Sequence, residues 1–198
     1  MEYTLIDKEV IIEEDVVIEP FVKIKGNSIV KKGAIIKSFT EIVDSIIGEN
    51  TVVDSSNIHN SIIGTNNNIG PRAYIRNNTE TKNNVKIGFS VEVKQSIINE
   101  NTKISHLSYI GDSNIGKNIN IGAGTITANY DGVNKNKTII EDNCFIGSNS
   151  VLIAPIKIEK NSLTAAGSTL NKDVPSYSLA IARNRQINKE NYYKKEII

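Results

Sequence analysis

An aliphatic residue recurs at almost every sixth position through most of this 198-residue chain. Anchors begin at residues 6, 12, 18 and 24, run on to 121, and resume from 140 to 170. They give 27 positions, of which 25 are Ile, Val or Leu; the exceptions are Thr81 and Thr164. A step of six is about 600° on an α-helix, so a helix would scatter these residues around its surface. The position three after each anchor is Asn, Gly or Asp in 15 of the 27 steps, including Asn27, Gly33, Asn50, Asn66, Asn84, Asn101, Asn118, Asn143, Asn149 and Gly167. These residues accept positive φ best. The unit is therefore a short flat strand, an inward aliphatic and a tight corner. Three such sides close a triangular coil of 18 residues, and the chain is long enough for about nine coils.

Composition agrees with a narrow core of β-branched side chains: Ile is abundant, while Trp is absent, Met occurs once and Phe four times. Steps of five, as at 42 to 47, 53 to 58, 58 to 63, 93 to 98 and 110 to 115, are irregularities a solenoid absorbs. The formal charge of +1 gives no bulk attraction for nucleic acid or an anionic membrane. One Cys allows no intrachain disulfide, no apolar run reaches membrane-spanning length, and the start carries no signal-peptide core. The expectation is a soluble, cytoplasmic protein.

Two segments leave the repeat. The rhythm stops over 127–139, "TANYDGVNKNKTI", and from Ser176 to the end the period gives way to a basic tail. The boundaries read 1–175 for the coil domain, with the excursion inside it, and 176–198 for a tail that is either a short helix or an extended segment. A solenoid has flat faces, so a long loop is the first place to look for a site.

Only two histidines occur, His59 and His106. A zinc hydrolase on such a scaffold needs three imidazoles, so no metal is expected. His59 reads as a turn residue and Cys144 as an inward packing residue. Arg76 and Lys94 lie 18 apart and should stack on one face. Two stacked cations either bind an anion such as a phosphate or remain solvated side chains.

The run "HLSYIGDSNIGKNINIGAGTITANYDGVNKNKT", with "FIGSNSVLIAP" and "AAGSTLNKDVPSYSLAIARNRQ", resembles the C-terminal acetyltransferase domain of the bifunctional bacterial enzyme that makes UDP-N-acetylglucosamine, a hexapeptide-repeat acyltransferase. The resemblance implies a left-handed parallel β-helix, a handedness that periodicity cannot supply because parallel crossovers are normally right-handed. It implies acetyl-CoA-dependent N-acetylation of glucosamine-1-phosphate, for peptidoglycan and envelope precursors, in a homotrimer with sites between chains. Carried over, His106 matches the general base and Glu92 the carboxylate supporting it. Arg76, Lys94, Tyr109 and Asn120 match sugar-phosphate binders, and Lys135 matches a lysine contributed across a subunit interface. Ala123 matches the residue whose backbone amide holds the acetyl carbonyl. Asn129, Tyr130, Ser148, Ala166, Arg183 and Lys189 match acetyl-CoA contacts. The chain departs from the family at Asn77-Asn78, in place of Pro-Gly, and at Phe89-Ser90 before Glu92. No uridylyltransferase domain precedes Met1, so that activity is not expected. Two other readings stay open: an acetyltransferase for another amine, and a silent trimeric scaffold.

Overall fold

The computed structural model describes residues 3–190 and 192. The six-residue unit closes as the sequence dictates, into a three-sided, left-handed parallel β-helix. Among the described residues the first face stacks ten short strands, from Leu5–Ile6 through Lys23–Lys25, Tyr74–Arg76, Glu92–Lys94, Tyr109–Gly111 and Ile126–Ala128 to Thr169–Leu170. The second face has nine strands and the third has ten, the third including Lys103–His106 and Asn120–Ile121. Every ladder between named strands is parallel, and each strand pairs with the one a full coil away, as in Arg76 opposite Lys94.

The anchors form the core. From Ile24 to Leu170 every anchor is buried, whereas Ile6 and Ile18 are only partly covered and Ile12 is exposed, the first coil having a described neighbour on one side. The two polar anchors are satisfied. Thr81 Oγ1 accepts from the Asn67 side chain at 2.7 Å, and Thr164 Oγ1 accepts from the Gly147 amide at 3.0 Å. A buried thiol holds an inward slot at Cys144, where its Sγ lies 3.1 Å from the Glu159 carbonyl. Burial raises the Cys144 pKa, as expected for a packing residue.

Corners follow the expected chemistry closely. Of the ten Asn and Gly corner residues named above, all but Asn27 adopt positive φ; there Gly26 takes the turn. Each five-residue step closes in one way. A residue at positive φ (Asp44, Ser55, Asn60, Gln95 or Asp112) precedes a buried serine. The Oγ of that serine, in Ser45, Ser56, Ser61, Ser96 and Ser113, donates to the carbonyl two residues back. One residue is thus saved at the corner without orphaning a buried polar group.

Two boundaries differ from the sequence reading. Thr127 is buried and in register with Leu152, so the first face continues through Ala128 and the excursion starts later than 127. It ends earlier than 139, since Thr138–Ile140 is a strand. The polar Thr127 hides an anchor because its Oγ1 accepts from the Gly111 amide at 2.8 Å. The coil also outlasts residue 175: Leu179–Ala180 pairs with Leu163–Thr164, and Ala182 still accepts from Thr169. The segment after Ser176 thus adds one strand, Leu179–Ala180, and no helix among its described residues, and the lysine-rich end beyond Tyr192 lies outside them.

Candidate active site

Two outward columns of the first face hold Arg76, Glu92, Lys94 and Tyr109. Tyr74, Glu92 and Tyr109 occupy successive coils of one column, and Arg76, Lys94 and Gly111 occupy the other. The expected stacking of Arg76 on Lys94 is therefore present. Each cation has taken its own carboxylate. Arg76 donates to Glu92 Oε1 through Nε at 2.9 Å and Nη2 at 2.7 Å. Lys94 Nζ lies 3.1 Å from Asp112 Oδ2, with the two side chains only 6% and 7% exposed.

The excursion leaves the first face at the corner where Asp112 sits. Residues 129–137 form a small hairpin, with Tyr130 and Lys135 bridged antiparallel. Asp131 holds its turn by accepting from the amides of Val133 at 2.9 Å and Asn134 at 2.6 Å and from the Asn136 side chain at 2.9 Å. These bonds, the Asn134 amide foremost, hold the Asp131 carboxyl below its usual value. At the hairpin base the Asn129 side chain donates to Asp112 Oδ2.

This arrangement brings the Lys135 ammonium against Lys94 of the same chain. Contact with the Lys94 cation is the main reason the Lys135 pKa falls below the usual lysine value. Burial opposes the charge on Lys94, yet its hydrogen bond to Asp112 and the charge of that carboxylate prevail and its pKa is raised. Three cations therefore share two carboxylates, and the excess positive charge faces outward. Tyr109 stands on the coil next to Glu92, its strand in register with Lys94 through Gly111. Its hydroxyl folds over Gly111, where a Cβ would stand 2.5 Å from Oη. A side chain at the position stacked above Lys94 would therefore displace the Tyr109 ring.

A third column runs along the corner between the third and first faces. Phe89 is in register with His106, and Ile104 with Ile121, which places Ala123 one coil beyond His106. The same register continues to Ser148 and Ala166, since Ile121 pairs with Ile146 and Ile146 with Thr164. The carbonyl of Ala123 accepts from Asn149, and that of Ser148 from Gly167. Arg183 passes beside Gly167, with its Cδ 3.7 Å from where a Cβ would stand. His106 is exposed on this edge, three residues before Tyr109.

Some expected neighbours do not meet. Glu92 gives its carboxylate to Arg76 rather than to His106, because Arg76 sits on the adjacent coil of the same face while His106 lies around the corner. Asn120 lies on the third face, between Lys103 and Phe145. Tyr130 is exposed, its hydroxyl donating to the Gly132 carbonyl at 2.6 Å. Arg183 and Lys189 are exposed, apart from the cation cluster. Asp112 was missed by sequence reading. Its signal was a carboxylate 18 residues beyond Lys94, the same spacing that linked Lys94 to Arg76. Among the described residues no group of three or more His, Cys, Asp or Glu is placed to hold a metal, and no helix is long and apolar enough to cross a membrane.

Comparison with known proteins adds to this geometry. Residues 36–121 match the family described as GlmU-like, C-terminal hexapeptide, and residues 137–172 match the hexapeptide repeat of succinyl-transferase. The chain is 59% identical over 155 residues to the bifunctional protein GlmU of Carboxydothermus hydrogenoformans, covering 78% of this chain and 35% of that protein. It is 53% identical over 193 residues to the GlmU of Streptococcus mutans, covering 98% of this chain and 42% of that protein. The chain therefore spans well under half the length of these curated relatives. Among solved structures, LpxA of Bacteroides fragilis, a UDP-N-acetylglucosamine acyltransferase, aligns with a TM-score of 0.59 at 21% identity over 90% of this chain and 69% of that one. The Arabidopsis UDP-N-acetylglucosamine acyltransferase gives 0.56 at 18% identity, with the same coverage of both chains. At these identities the likeness is one of fold.

Proposed function

The chain belongs to the hexapeptide-repeat proteins of the GlmU-like C-terminal type, and from that membership we propose that it transfers the acetyl group of acetyl-CoA to the amine of glucosamine-1-phosphate, in UDP-N-acetylglucosamine synthesis in the cytoplasm. The observation that carries this reading is the cation cluster. Arg76, Lys94 and Lys135 converge beside Tyr109 with one positive charge more than Glu92 and Asp112 neutralise. A phosphate supplies the missing anion, and a guanidinium with ammonium groups is suited to bind it.

The chemistry then runs along the neighbouring corner. The sugar amine attacks the thioester carbonyl, forming a C–N bond, and His106 takes the proton the amine loses. The developing oxyanion lies against the Ala123 backbone amide. Collapse breaks the C–S bond and releases the CoA thiolate, which is protonated as it leaves. The column Ala123, Ser148 and Ala166 continues upward from His106 with small side chains, and Arg183 lies beside its top. That column is the track assigned to acetyl-CoA, with Asn129, Tyr130, Arg183 and Lys189 at its margins and the cofactor phosphates on the last two. Asn120 is assigned to the sugar. The active form is a homotrimer whose sites are shared between chains, which brings the exposed Tyr130, Arg183 and Lys189 to a neighbour's edge.

The test is acceptor choice. Thiol release from acetyl-CoA is expected with glucosamine-1-phosphate and far more weakly with glucosamine, which lacks the phosphate. Equal rates with both would remove the role given to the cation cluster. Preference for a nucleotide-linked amino sugar would favour a different member of this acyltransferase class.

A further inference from the structure

His59 and Tyr74 have no part in the reading above, yet both touch its phosphate-binding end. Asn57 is in register with Tyr74 and Ile58 with Ile75, which sets His59 one coil below Arg76 in the same outward column. Its imidazole meets the Tyr74 ring edge-on, at 5.6 Å between centroids and 83° between planes. The Arg76 guanidinium lies over the Tyr74 ring at 5.4 Å. From there it reaches Glu92 with Nε and Nη2. Arg76 is thus supported on one side by an aromatic face and fixed on the other by a carboxylate. The buried His59 Nε2 has no hydrogen-bond partner among the described residues. The imidazole therefore acts through its contact with the ring and not through a polar bond. Lys94, the other cation of the column, is held by Asp112 and needs no such support.

We propose that Tyr74, braced by His59, is the positioning residue that holds Arg76 in the orientation that presents its free guanidinium edge to the acceptor phosphate. The aromatic face limits the swing of a long flexible side chain, so the cation is already in place before substrate arrives. The ring, and not the phenolic hydroxyl, carries this role. Tyr74 does not touch the reacting atoms.

This inference rests on the acceptor-phosphate reading, so two measurements are paired. In steady-state kinetics Tyr74→Leu is expected to raise the KM for glucosamine-1-phosphate by about fivefold, the size of a cation–π contact. The KM for acetyl-CoA and kcat stay within about twofold, again small beside that contact. Tyr74→Phe is expected to restore the wild-type KM, and His59→Ala to give part of the rise. The second measurement is the arginine Nε–H spectrum of the intact protein, which needs no turnover. The Arg76 Nε–H, protected by Glu92 in the wild type, is expected to exchange faster in Tyr74→Leu and normally in Tyr74→Phe. An unchanged acceptor KM, an equal rise for both substrates, or failure of Tyr74→Phe to restore it would overturn the proposal. If the wild type showed no turnover, the acceptor reading would fall. The spectrum would then decide alone, with faster Arg76 exchange in Tyr74→Leu supporting the stack and unchanged exchange refuting it.

Discussion

Lys94 and Asp112 face each other at 3.1 Å across successive coils, with side chains 6% and 7% exposed, directly beneath the point where the hairpin leaves the solenoid. The pair fixes a cation at the floor of the proposed phosphate site. It also anchors the hairpin, because Asn129 donates to the same carboxylate oxygen. Removing one partner strands the other as a buried charge. Asp112→Ala is therefore expected to cost about 3–5 kcal/mol of stability, read as a lower denaturation midpoint, while the double change Lys94→Met/Asp112→Leu recovers much of it. A single variant as stable as wild type would show that the pair is hydrated in solution.

The raised pKa of Lys94 sets a pH dependence with a definite sign. A lysine whose folded-state value lies above its ordinary 10.5 adds stability below that value and loses it as pH climbs through the folded-state value. In a Lys135→Met background, which removes the opposite shift of Lys135, thermal midpoints measured through the alkaline range should fall more steeply with Lys94 and Asp112 in place than with Lys94→Met/Asp112→Leu. Parallel curves for the two proteins would contradict the assignment.

Gly111 tests the space above Lys94. Its φ is not in the left-handed region, so alanine brings no backbone strain there, but the new Cβ would meet the Tyr109 hydroxyl. Gly111→Ala is expected to displace the Tyr109 ring and raise the KM for the sugar phosphate by about tenfold, the loss of one good hydrogen bond or ring contact. Stability should change by less than about 1 kcal/mol, since only the far end of a side chain must move. A large stability loss with an unchanged KM would mean that Gly111 serves coil stacking alone.

Much of this was legible in the chain itself. A six-residue period leaves few solutions, and Ile, Val and Leu at the anchors with Asn and Gly three residues on specify both the core and its corners. The period also predicted that Arg76 and Lys94 would stack, which needs no knowledge of side-chain contacts. The failures are local and polar. Thr127 fills an anchor position because Gly111 supplies a hydrogen bond to its hydroxyl, and a pattern of aliphatics cannot register that. Phe21, Phe39, Arg72 and Leu107 adopt positive φ although their side chains disfavour it, because the coil fixes the corner regardless of who occupies it. The partner of Glu92 depended on which corner separates it from His106, and the period alone gives columns without contacts.

Arg76 should affect one substrate. Arg76→Ala is expected to raise the acceptor KM by about 10- to 100-fold, the range for a hydrogen bond to a charged group, with acetyl-CoA binding retained. Arg76→Lys is expected to recover little, because a point charge cannot span Glu92 and a phosphate together. Loss of acetyl-CoA binding in Arg76→Ala, followed by calorimetry, would move Arg76 out of the acceptor site.

The most direct measurement compares thiol release from acetyl-CoA by the wild-type protein and by His106→Ala, with glucosamine-1-phosphate as acceptor. The account predicts turnover by the wild type and a loss of about 10²- to 10⁴-fold in the variant, the usual contribution of a positioned general base, with the fold and both substrate affinities kept. Wild-type protein that releases no thiol, or a His106→Ala variant as fast as wild type, would contradict it.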